Sequence, residues 1–170
     1  MFLPILKTEY EWQPCNAKVK IKKLNPKAIT PSRGSNLAAG YDLYACIDTP
    51  VEIPPHTTAK VGTGIALRLP DDTFGGIFAR SGLATKQSLR PANCVGVCDA
   101  DYTGEYIVAV HNDGTETRVI NNGDRIAQLI VIPFYSVDFE EVNDLEKTER
   151  GDGGFGSTDQ VQTETPVAAE

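Results

Sequence analysis

The chain has 170 residues, 41% of them hydrophobic, which suits one domain with short tails and a real core but leaves little room for two packed domains. Its formal net charge of −7 argues against general binding to nucleic acid or anionic membranes, because both depend on a basic surface. Cys15, Cys46, Cys94 and Cys98 form no CxxC pair, and no segment has the charged start and apolar run of a secretory signal, so a reduced, cytoplasmic setting is expected.

Residues 1–16 read as an N-terminal extension; its apolar start is broken by Pro4 and Lys7. Short runs of alternating or β-branched residues then follow one another: AKVKIKKL from Ala17, YDLYAC from Tyr41, TTAKV from Thr57, TGIALRL from Thr63 and FGGIF from Phe74. The lysines of the first run alternate with Val19 and Ile21, as in a strand with one solvated face. SGLATKQ, Ser81 to Gln87, is the one helical stretch, with Ser81 as a candidate N-cap. Strand-like runs resume at Asn93, Gly104, Thr115, Arg125 and Ser136, separated by turn signals such as Asp113-Gly114 and Asn121-Asn122-Gly123. About ten short strands with turns between them predict an all-β sandwich, barrel or jelly roll over 17–143.

Residues 144–149 form a charged tether, and Arg150–Asp159 (RGDGGFGSTD) has the composition of a flexible lid. Glycine lets backbone N–H groups approach a polyanion, a guanidinium forks onto phosphate oxygens, and Phe155 offers a flat face to a base. Ordering such a segment costs on the order of 10 kcal/mol of backbone entropy, so it should close only on a ligand that supplies many contacts. A solvated linker is the plainer fate of this composition. Residues 160–170 lack large apolar anchors and read as a disordered tail.

The densest chemistry lies in GVCDADYTG, Gly96 to Gly104, where two carboxylates and a tyrosine sit at what reads as a hairpin. On a pleated strand Asp99 and Asp101 would share a face, whereas a turn could aim them apart. Cys94 and Cys98 have metal-like spacing but no companion ligands, and buried strand cysteines are the better reading. HExxH, GxSxG and GxxxxGK are absent, which disfavours zinc peptidases, serine hydrolases and P-loop enzymes.

Five stretches in order carry a resemblance: AGYDLYA at Ala39–Ala45, ARSGLA at Ala79–Ala84, GVCDADYTG, GDRIAQLIV at Gly123–Val131 and RGDGGFGST at Arg150–Thr158. Together they resemble the trimeric deoxyuridine triphosphate nucleotidohydrolases, the dUTPases. The resemblance implies a jelly-roll-like (β-clip) homotrimer with sites shared between chains. It also implies hydrolysis of dUTP to dUMP and pyrophosphate with Mg²⁺ carried on the triphosphate. By the same resemblance Asp99 activates the attacking water, Tyr102 packs under the deoxyribose, and Asn93 reads the uracil edge. Arg80, Ser81, Gly82 and Gln128 meet the phosphates, and Asp42 organises the metal hydration or the lid arginine. Arg150, Gly156, Ser157 and Thr158 close on the outer phosphates while Phe155 stacks over uracil. Ala79 stands where proline is common, and Asp152 and Asp159 add charge to the lid.

Two alternatives stay open at this level. A dCTP deaminase of the same fold needs a glutamate further along the strand that reads EYIVAVHN, where Glu105 sits only at the start. A regulatory protein-binding role on the same scaffold, as implied for some phage relatives, would use a protein partner as well as the nucleotide.

Overall fold

The computed structural model describes residues 18–155. The expected N-terminal extension, Cys15, Asp159 and the expected tail lie outside the described residues. Among the described residues ten strands and one helix follow one another: β1 (Lys20–Lys23), β2 (Tyr41–Tyr44), β3 (Val51–Ile53), β4 (Thr58–Arg68), β5 (Thr73–Phe78), α1 (Ser81–Gln87), β6 (Leu89–Pro91), β7 (Gly96–Cys98), β8 (Glu105–Asn112), β9 (Arg118–Ile120) and β10 (Arg125–Pro133). The strands pair antiparallel in the orders β1-β4-β8-β6, β2-β10-β5-β7 and β3-β9, so the all-β expectation holds.

The core gathers Leu43, Ile53, Val61, Ile65, Leu67, Ile77, Tyr106, Val108, Val110, Ile126 and Leu129, contributed by all three sheets. β8 alternates strictly, with Tyr106, Val108, Val110 and Asn112 inward, as a strand with one face on the core must. Asn112 is fully buried, and its side chain replaces water with protein partners: Nδ2 donates to the carbonyls of Ile53 (2.8 Å) and Glu116 (2.7 Å), while Oδ1 accepts from Gly114 N–H (2.9 Å). It therefore ties β3 and the turn before β9 to the end of β8.

Several local expectations are corrected. TTAKV and TGIALRL form one strand, β4, whose register against β8 shifts between Gly62 and Ala66. Gly64 takes φ +66 in that bulge, and a Cβ there would meet Cys46 Sγ at 2.8 Å and Ala28 Cβ at 3.0 Å, so glycine is needed for both conformation and space. Ser81 is the first helical residue rather than the N-cap; Arg80, with extended backbone, occupies that position and no side chain caps the helix. The Asp99–Gly104 segment is not a hairpin, because β7 pairs with β5 and β8 pairs with β4 and β6, so it crosses between sheets. The last expected strand at Ser136–Val142 carries no ladder, and Val137, Phe139 and Val142 are exposed, so its alternation has no face to bury.

The first compact unit ends at Ser136, where the sequence pattern runs the core to 143. Val137–Phe155 belong to a second unit with no strand or helix of its own among the described residues. No helix among the described residues is long and apolar enough to cross a membrane.

Candidate active site

Register places the first group of site residues. Gln128 at the middle of β10 pairs with Asp42 of β2 on one side and Phe78 of β5 on the other. Directly opposed residues share a face of the sheet, so Asp42 and Gln128 stand together, and the chain leaving β5 at Phe78 brings Arg80 beside them. Arg80 Nε donates to Asp42 Oδ1 at 2.7 Å, and Arg125 contacts Asp42 Oδ2 at 3.3 Å. Gln128 Nε2 donates to Ala79 carbonyl oxygen at 2.8 Å, and a Cβ on Gly40 would run into its Oε1. A cleft of about 400 Å³ opens here, lined among others by Gly40, Asp42, Arg80, Ser81, Gly82 and Gln128. No side chain caps α1, so its first N–H groups have no partner from a capping side chain.

Asp42 is largely buried and both its oxygens engage guanidinium groups. That arrangement orients two arginines and leaves the carboxylate poorly suited to bind a metal directly. Neither partner is the lid arginine, Arg150, that the resemblance assigns to Asp42.

The second group lies elsewhere on the same unit. Asn93, Asp99 and Tyr102 line a cleft of about 240 Å³ together with Ile77, Gly96, Cys98, Glu105 and Tyr106. Asp99 is exposed where β7 ends, and Tyr102 N–H donates to its carbonyl at 3.1 Å, closing a turn. Arg68 anchors this turn: Nη1 donates to the carbonyls of Ala100 (2.8 Å) and Leu69 (2.6 Å). Cys94 takes φ +61 in the turn that presents Asn93. In the cleft lining, burial pushes the Tyr106 phenol and the Cys98 thiol up, each neighbouring the other; among the described residues the Tyr106 hydroxyl has no nitrogen or oxygen partner.

The two clefts share no lining residue. The structure thus brings Asn93, Asp99 and Tyr102 together, brings Asp42, Arg80, Ser81, Gly82 and Gln128 together, and keeps the two sets apart within one chain. In the second unit Arg150 Nε donates to Gly153 carbonyl oxygen at 3.0 Å, Gly151 takes φ +55, and Phe155 is fully exposed. Gly156, Ser157 and Thr158 lie outside the described residues.

Sequence reasoning missed Arg125, although it stands in the quoted GDRIAQLIV stretch, missed Arg68 entirely, and weighed Glu105 only as a deaminase residue, without its structural role. Glu105 Oε1 accepts from Gly64 N–H at 2.8 Å, so its carboxylate is committed to the β4 bulge. Among the described residues no cluster of three His, Cys, Asp or Glu could hold a metal ion.

Comparison with known proteins follows the same lines. The dUTPase family model matches residues 26–159. The chain is 47% identical over 142 residues to a deoxyuridine 5'-triphosphate nucleotidohydrolase of Desulfitobacterium hafniense, covering 83% of this chain and 90% of that one. It is 45% identical over 139 residues to the protein of that name from Arabidopsis thaliana, covering 82% and 81%. A mutant Staphylococcus bacteriophage 80alpha dUTPase solved with dUpNHpp matches at a TM-score of 0.76 and 27% identity, covering 83% of this chain and 98% of that chain. Since the matched span takes in both clefts and every strand from β2 to β10, the chain belongs to the dUTPase family.

Proposed function

We propose that the protein hydrolyses dUTP to dUMP and pyrophosphate, with Asp99 as the base that deprotonates the water attacking the α-phosphorus. The observation that carries this is the grouping of an exposed carboxylate, Asp99, with Asn93 and Tyr102 around one cleft. An amide offers both donor and acceptor to a uracil edge, and a phenyl ring beneath the sugar leaves no room for a 2′-hydroxyl. Arg80, Ser81, Gly82 and Gln128 supply the positive and N–H-rich surface for the phosphate chain, and Asp42 holds Arg80 in place. Arg150, Ser157, Thr158 and Gly156 would close on the outer phosphates, with Phe155 over the base.

The separation of the two clefts within one chain supports sites completed by neighbouring copies, and the resemblance makes the assembly a homotrimer. Mg²⁺ carried on the triphosphate would neutralise part of its charge. Glu105, committed to the bulge of β4, is not free for deaminase chemistry.

Pyrophosphate release from dUTP, dCTP, dTTP and UTP with Mg²⁺ tests the assignment. The expected result is strong preference for dUTP, lowered by roughly 10² to 10⁴ in kcat in Asp99→Asn. Ammonia release from dCTP, or unchanged turnover in that variant, would contradict it.

A further inference from the structure

We propose that Gly104 and Glu105 position the ring of Tyr102 and so set the discrimination between 2′-deoxy and 2′-hydroxy nucleotides; this rests on the assignment of Tyr102 to the sugar. Tyr102 is 44% exposed in a crossover between sheets, where a side chain would ordinarily exchange rotamers freely. Here it is held on several sides. Its hydroxyl donates to the Glu105 carbonyl at 2.9 Å, and the Tyr106 ring lies behind it at 6.0 Å between centroids, tilted by 44°.

The remaining side is the bare backbone of Gly104. A Cβ at that position would lie 2.6 Å from Tyr102 Oη, 2.7 Å from Cζ and 2.9 Å from Cε2. Gly104 does not adopt a left-handed backbone, so no conformational demand requires glycine there. The clash is with the far end of a movable side chain. Alanine at 104 can therefore be accommodated by moving the ring, with the backbone left in place.

Glu105 fixes the other end of the tether. Its carboxylate accepts from Gly64 N–H in the β4 bulge at 2.8 Å, and a Cβ on Gly62 would come within 2.6 Å of the same oxygen. The carbonyl that receives the Tyr102 hydroxyl thus belongs to a residue locked at its side chain to the neighbouring strand. A bulge in the core strand, a glycine and a carbonyl together aim one ring at the cleft that also holds Asp99. Gly104 and Glu105 are positioning residues: they act on substrate through Tyr102.

The test is the ratio of kcat/KM for dUTP to that for UTP, measured in the full chain and in Gly104→Ala, Tyr102→Phe and Tyr102→Ala, with thermal unfolding recorded for each. Gly104→Ala is expected to lower the ratio about ten-fold or more, the scale at which one small group changes pocket selectivity. Tyr102→Phe, which deletes the hydroxyl tether but keeps the ring, is expected to lower it less, and decides the matter should Gly104→Ala fail to fold. A loss of stability alone would reduce active protein for both substrates and leave the ratio unchanged. Wild-type ratios in both Gly104→Ala and Tyr102→Phe, beside a collapsed ratio in Tyr102→Ala, would overturn the positioning role. A wild-type ratio in Tyr102→Ala would instead overturn the assignment of Tyr102 to the sugar.

Discussion

Tyr106 and Cys98 neighbour each other in the cleft lining, and burial favours the neutral form of both. A group whose folded pKa is raised contributes stability that is complete below its unfolded value and is lost as pH rises through the folded one. The thiol's ordinary value is 9.0, so stability should hold to about pH 9 and fall above it, less steeply in Cys98→Ala than in the wild type. Thermal unfolding midpoints across that range check this; parallel falls in the two proteins would contradict it. At this scale the sequence carried much of the site. Asn93, Asp99 and Tyr102 lie close along the chain, and the structure keeps them together. Arg125 and Glu105 were not legible, because their roles depend on which strands pair and where a bulge falls. Arg125 reaches Asp42 through the β2–β10 register, and Glu105 reaches Gly64 across the β4–β8 irregularity.

Among the elements, strands lying inside a patterned run were readable, short or long, whereas β3 and β6 were not. β8 and β10 follow their hydrophobic alternation or apolar run closely. β3 and β6, with three residues each, give alternation nothing to register, and β6 ends in a proline. The split reading of β4 came from Gly62 and Gly64, which punctuate a sequence as a turn does but here make a bulge inside one strand. The expected strand at Ser136–Val142 failed for the opposite reason, having the pattern without a partner strand in the described chain. Asn112 joins three of these elements, and its loss would leave the carbonyls of Ile53 and Glu116 and the N–H of Gly114 without their partner. Asn112→Ala should destabilise the fold by about 2–4 kcal/mol, read by denaturant unfolding, while leaving the dUTP/UTP ratio of the folded fraction unchanged. A cost near zero would mean that Asn112 is not the tie between β3 and β8.

Across the whole molecule, the residues assigned to one reaction occupy two clefts with no lining residue in common. In the sheet β2-β10-β5-β7, β5 stands between the two groups. β7 and the crossover to β8 present Asn93, Asp99 and Tyr102, whereas β2, β10 and the start of α1 present Asp42, Gln128 and Arg80. Motif order along a chain cannot report this, since nearness in sequence and membership of one cleft are different properties. If neighbouring copies complete each site, inactive chains should rescue one another. The direct measurement is dUTP hydrolysis by Asp99→Asn and Arg80→Ala proteins, each alone and after unfolding and refolding together. Sites made from the Asp99 of one chain and the Arg80 of another predict that the mixture recovers activity far above either parent. A mixture no more active than the sum of its parents would contradict a site shared between chains.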